Sequence, residues 1–121
     1  MDIVIIAANE EQIQELVKQV TVTTVDANIE TFVDPFFALK YLFSHKADLV
    51  FVKDRIKTIA AGQVVNLLRR KCKGIDITVI ADDRTLEKQV LETGADRLIT
   101  GTITKEVLGG IVKEVEAFKD E

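Results

Sequence analysis

The chain has 121 residues, and its 16 Lys and Arg against 20 Asp and Glu leave a net charge of −4. That length sets one domain, 1–121, and an apolar content of 47% is too high for a disordered segment. Mild acidity disfavours general nucleic-acid binding, which needs clustered cations, while one Cys and one His exclude an internal disulfide, CxxC zinc motifs and most histidine-based triads.

Ile3 to Ala7 is a continuous apolar run, as expected of a strand buried on both faces. The run Ile3–Ala8 is too short to span a bilayer and no basic leader precedes it, so a soluble protein of a reducing compartment, the cytoplasm, is expected. Glu10 to Val20 places Ile13, Leu16, Val17 and Val20 at helical spacing, with acids in the first turn. Thr21 to Asp26 could extend that helix or open the next strand, and propensity favours strand. Ile29 to Val33 reads as the second strand.

Asp34 can cap a helix that Pro35 opens, running through Phe36, Phe37, Leu39, Tyr41 and Leu42 to about His45, a helix-end residue. Asp48 to Val52 is the third strand. Gly62 to Lys73 carries Val64, Val65, Leu68 and Cys72 on one stripe, and Gly74 stops it. Arg69-Arg70-Lys71 with Lys73 reads as a solvated helix end. Ile75 to Ala81 is the fourth strand, Arg84 to Thr93 a short helix ended by Gly94, and Leu98-Ile99 a fifth strand. Thr104 to Lys119 forms the last helix, with Val107, Leu108, Ile111, Val112, Val115 and Phe118 expected to face inward. Lys119 to Glu121 reads as a frayed tail or the start of a linker.

Strict alternation of strands and helices demands a parallel sheet covered on both faces. For five βα units the expected class is α/β, a flavodoxin-like (βα)5 doubly wound sheet of strand order 2-1-3-4-5. In such a sheet the chemistry sits at the carboxyl ends of the strands. The side chains expected there are Ala7, Ala8, Asn9 and Glu10, then Lys53 and Asp54, then Ala81, Asp82 and Asp83, then Thr100, Gly101 and Thr102.

The stretch from Asp34-Pro35-Phe36-Phe37-Ala38-Leu39 to Ala47-Asp48-Leu49-Val50-Phe51-Val52, together with Gly94-Ala95-Asp96-Arg97-Leu98-Ile99, resembles the receiver domains of bacterial two-component response regulators. The resemblance spans the whole chain and rests on joint spacing; within the family the chain looks most like receivers that precede DNA-binding output domains. Such a domain is expected to carry phosphoryl transfer to an aspartate, with Mg²⁺ held by two acids after the first strand. Those acid positions match Ala7 and Ala8 here. The acceptor aspartate matches Lys53, the hydroxyl after the fourth strand matches Ala81, and the lysine and cis proline after the fifth match Gly101 and Thr102. The aromatic switch position matches Leu98. An alanine pair offers no metal ligand, and a lysine ammonium repels Mg²⁺ and forms no acyl phosphate. A register shift of one would make Asp54 the acceptor, but would leave the missing acids, hydroxyl and lysine unexplained.

The resemblance therefore implies a pseudo-receiver: no enzyme, no metal, no cofactor, and a role in signal transduction or transcription regulation through protein contacts. Lys53 with Asp82 or Asp83 is a candidate ion pair that would replace the family's lysine–phosphoaspartate contact. The competing reading is a solvated lysine, since exposed pairs contribute little. The resemblance places the interaction face on the fourth helix, fifth strand and fifth helix, where Glu87, Val90, Leu91, Arg97, Lys105 and Lys113 would meet a protein partner or a second copy. A C-terminal DNA-binding output domain in a longer parent and a stand-alone adaptor are both compatible, with no direct nucleic-acid or membrane contact by this chain. The alternative is a flavodoxin-like small-ligand or cofactor-binding domain. It lacks a phosphate cradle after the first strand, where Glu10 and Glu11 repel phosphate, and has only Thr100-Gly101-Thr102 as a weak substitute.

Overall fold

β1 (Asp2–Ile6) is an interior strand of the sheet, and its apolar residues alternate between the two faces. Val4 and Ile6 point to one side and Ile3 and Ile5 to the other, and all four are buried. The computed structural model describes residues 1–24, 26–53, 61–72, 74–85, 87–100 and 104–119, with the side chains of Ala61, Lys71, Phe118 and Lys119 left aside.

α1 (Glu10–Thr23) starts where Asn9 Oδ1 accepts the Gln12 N–H at 2.9 Å, a side-chain cap for an otherwise unpaired donor. The helix continues through Thr21, Val22 and Thr23 rather than turning to strand. Thr23 Oγ1 donates to Gln19 O at 3.1 Å, and the Thr24 N–H closes the last turn on Val20 O. These local bonds and the burial of Val20 override the β-branched propensity of the segment.

β2 (Asn28–Phe32) is an edge strand, largely exposed. α2 (Pro35–Ser44) begins as its sequence requires: Asp34 Oδ1 accepts the Phe36 N–H at 2.9 Å and Pro35 occupies the first turn. It ends at His45, whose N–H bonds Tyr41 O. β3 (Leu49–Lys53) lies one residue later than its sequence pattern suggests, so that Lys53 belongs to the strand. α3 (Ala61–Lys71) buries Val64, Val65 and Leu68, followed by Cys72 beyond its end. Gly74 then turns the chain at φ +84°.

β4 (Asp76–Ala81) is followed by α4 (Glu87–Glu92), which is shorter than the Arg84–Thr93 span expected. β5 (Arg97–Thr100) and α5 (Lys105–Lys119) complete the chain. All strands pair in parallel in the order β2-β1-β3-β4-β5. This is the flavodoxin-like arrangement expected from the alternation.

The sheet divides the core in two. α2, α3 and α4 cover Val50, Val52, Ile77, Val79 and Leu98 on one face. On the other face α1 and α5 cover Leu49, Phe51 and Ile80. On α5, Leu108, Ile111, Val112 and Val115 are buried as expected, whereas Val107 is 41% exposed. One helical stripe can face the sheet, and Val107 lies beside that stripe rather than in it. The Phe118 side chain lies outside the described residues. Among the described residues, no helix is long and apolar enough to cross a membrane.

The end of the sheet opposite the carboxyl edge is tied by Arg69, which is not the solvated residue its basic run suggested. Its Nε donates to Gly94 O at 2.6 Å, one Nη to Ile75 O at 2.7 Å and the other to Asp96. Asp96 Oδ2 also accepts the Ile77 N–H at 2.8 Å. α3, β4 and the turn into β5 are thus joined through one guanidinium.

Candidate functional site at the carboxyl edge of the sheet

Parallel pairing brings the ends of β1, β3, β4 and β5 side by side. After β1 comes Ala7, fully buried, with its N–H bonded to Phe32 O at 3.1 Å. Ala8 follows, half-buried, its N–H donating to Gln12 Oε1 at 3.0 Å. These two residues present methyl groups where the resemblance calls for metal-binding carboxylates. Asn9 and Glu10 pass directly into the capped start of α1, so Glu10 and Glu11 occupy the positive end of the helix dipole.

Lys53 closes β3 opposite Ile80 of β4. Its side chain is half-buried, and Nζ stands 3.8 Å from Asp82 Oδ1. That separation exceeds a hydrogen bond, so the attraction is Coulombic. Asp82 is 81% exposed, and an ion pair with one partner in water contributes at most about 1 kcal/mol. Of the two expected acids, then, Asp82 is the one beside Lys53. Asp83 Oδ1 instead accepts the Thr85 N–H at 2.9 Å and shapes the turn after β4.

Ala81 ends β4, buried, and pairs with Thr100 at the end of β5. Leu98 is buried opposite Val79, in the core cluster under α4. Asp54, Gly101 and Thr102 lie outside the described residues. Of the Thr100-Gly101-Thr102 cradle, only Thr100 can be placed.

Mg²⁺ takes oxygen ligands in near-octahedral array. The methyls of Ala7 and Ala8 and the ammonium of Lys53 do not fit that ion. Among the described residues no three His, Cys, Asp or Glu side chains gather closely enough to hold a metal.

The α4–β5–α5 face differs from its sequence-based reading at two residues. Val90 is buried under α4 and presents nothing to a partner, because α4 is only six residues long and Val90 is its one core anchor. Arg97 is held in place: one Nη bonds Asp76 Oδ1 and Thr78 Oγ1, the latter at 2.7 Å, and the other bonds Asp76 Oδ2 and Glu114 Oε2, each at 3.0 Å. Burial alone would lower the Arg97 pKa; the hydrogen bond and charge of Asp76, with the charges of Glu114 and Asp96, outweigh it and raise the pKa above its ordinary value. Leu91, Lys105 and Lys113 are exposed, and half-buried Glu87 pairs with Arg84. Val107 adds an exposed apolar group that the sequence reading had turned inward.

Three exposed aromatics on α2, namely Phe36, Phe37 and Phe43, were also missed as surface features. The signal was present. α2 carries apolar residues on its outer side as well as its inner one, and Pro35, Ala38, Leu39 and Leu42 already fill the one stripe that can face the sheet.

Neither a protein-family model nor a curated protein sequence matches the chain. Among solved structures, a two-component response regulator from Clostridium difficile superposes with a TM-score of 0.88 at 18% identity, over 100% of this chain and 99% of that one. The response regulatory domain of protein mrkE from Klebsiella pneumoniae gives 0.85 at 17% identity, over 100% of both chains. The response regulator TrrA from Thermotoga maritima, in complex with Mg²⁺ and BeF, gives 0.79 at 24% identity, over 94% of this chain and 97% of that one. The chain has the fold of response regulator receiver domains.

Proposed function

We propose that this chain is a receiver-fold regulatory module that works through protein contacts and without phosphorylation, in bacterial signal transduction or transcription regulation. Lys53 carries the reading. Its ammonium closes β3 at the carboxyl edge of the sheet, with Asp82 3.8 Å away and the methyls of Ala7 and Ala8 following β1. A cation and two methyls favour neither a divalent metal nor an acyl phosphate.

The partner surface we assign is α4–β5–α5, with Leu91 and Val107 as its apolar groups and Lys105 and Lys113 as its charged ones. A protein partner or a second copy would bind there. A C-terminal DNA-binding domain in a longer parent would be the output, in a cytoplasmic setting. A partner shifts such a module only if it binds two conformations with different affinity.

The test is incubation with Mg²⁺ and acetyl phosphate, followed by intact-mass measurement. The expected result is an unchanged mass. A phosphoryl adduct that disappears in Asp54→Asn would overturn the proposal.

A further inference from the structure

The outward stripe of α5 combines a glycine with charges of both signs. Leu108 and Val115, seven residues apart, are buried against the sheet. Helical spacing puts Glu106, Gly110, Lys113 and Ala117 on the opposite side, and all four are exposed. Gly110 has no reason inside the chain to lack a side chain: a Cβ added there would meet nothing within 4 Å among the described residues. A glycine inside a helix costs about 1 kcal/mol relative to alanine, so its presence here fits a backbone that another helix approaches closely. The other charged side chains described on α5 are engaged elsewhere or lie to one side. Lys105 lines a groove with Glu11 and Glu15 of α1, Glu116 shares that side eleven residues later, and Glu114 is bonded to Arg97 of β5.

We infer that α5 packs against α5 of a second copy, antiparallel and crossing at Gly110 about a two-fold axis. The inference rests on the partner surface assigned above and narrows it to one helix and one occupant. The order of the charges selects that occupant. Glu106 lies four residues before Gly110 and Lys113 three residues after it, so an antiparallel crossing sets Glu106 of each copy beside Lys113 of the other. Glu106 and Lys113, seven residues apart, share one side of the stripe, and a two-fold axis in the interface plane keeps that side matched between the copies. A parallel arrangement would instead set Glu106 on Glu106 and Lys113 on Lys113. The stripe is its own complement in the antiparallel sense alone. The bare backbone at Gly110 lets the two axes approach to about 8 Å, the short end of helix packing. Val107, 41% exposed, flanks the crossing and gives the contact its apolar part. Two copies of net charge −4 repel, which makes the dimer weak and dependent on concentration.

The test is sedimentation equilibrium of the full chain from about 10 μM to about 1 mM, in about 0.15 M salt. The parent should pass from monomer to dimer over that range. Glu106→Lys and Lys113→Glu, each folded by circular dichroism, should dimerise at least about tenfold more weakly. An equimolar mixture of these two variants, and the doubly exchanged Glu106→Lys/Lys113→Glu, should recover the association of the parent. Gly110→Gln favours the helix but fills the crossing, and it should stay monomeric. Four outcomes would overturn the inference: a parent still monomeric at about 1 mM; single charge variants that dimerise as the parent does; no recovery on mixing or double exchange; or a dimer that Phe37→Ser/Phe43→Ser dissolves and Gly110→Gln does not. The phosphorylation test above is read on a mass, so that reading and this one fail separately.

Discussion

Arg97 and Asp76 form a two-pronged pair across β4 and β5, each carboxylate oxygen taking its own guanidinium nitrogen. The same guanidinium satisfies the hydroxyl of Thr78, the one fully buried polar side chain among the described residues, and reaches Glu114 on α5. Arg97→Ala would leave Thr78 and Asp76 without this donor in a half-buried setting. The expected loss is about 2–3 kcal/mol, read by urea denaturation. Arg97→Lys should recover only part of it, because an ammonium lacks the planar fork. A loss below about 0.5 kcal/mol would show that the network contributes nothing net.

Lys53 and Asp82 should behave as a weak pair. At 3.8 Å, with Asp82 mostly in water, a double-mutant cycle of Lys53→Ala and Asp82→Ala should give a coupling below about 1 kcal/mol. A larger coupling would mean that the pair locks the sheet edge in one conformation.

Two glycines should respond with opposite sign. Gly94 has φ +117°, and a Cβ there would stand 2.6 Å from Arg69 Cγ. Gly94→Ala should therefore destabilise the fold by about 1–3 kcal/mol and disturb the Arg69–Asp96 tie. Gly110 is an exposed position inside α5, and a Cβ added there would meet nothing within 4 Å among the described residues. Gly110→Ala should stabilise by about 0.5–1 kcal/mol. Thermal melts of both variants read the two signs directly.

Cys72 is buried, with Sγ 3.7 Å from Leu42 O, and burial raises its pKa. A raised thiol pKa favours the neutral form in the folded state. This stability is fully present below the ordinary thiol pKa of about 8.5, and it is lost as pH rises through the higher folded value. Alkylation by iodoacetamide near pH 8 should be slow in the native protein and fast in urea. Equal rates would contradict the burial of the thiol.

The sheet was legible because β1, β3 and β4 are apolar runs of strand length, and the strict alternation of strands and helices leaves one economical topology. The carboxyl-edge residues followed from that topology, since strand ends fix which side chains arrive there. Rotational phase was not legible. Val90 and Val107 were assigned to the wrong side because a short helix and a broad apolar stripe admit more than one angle against the sheet. The helical Thr21–Thr23 depended on the Thr23–Gln19 bond and on packing of Val20, which propensity does not register. Arg97 looked like surface charge because its partners Asp76, Thr78 and Glu114 come from two other elements.

The most direct measurement is an amide NMR titration of the full chain, first with Mg²⁺ and then with beryllium fluoride, a phosphoryl mimic. A carboxyl edge built from Ala7, Ala8, Lys53 and Ala81 should leave those resonances unmoved. Saturable shifts at these residues would contradict phosphorylation-independent action and direct mutagenesis to Asp54, Asp82 and Asp83.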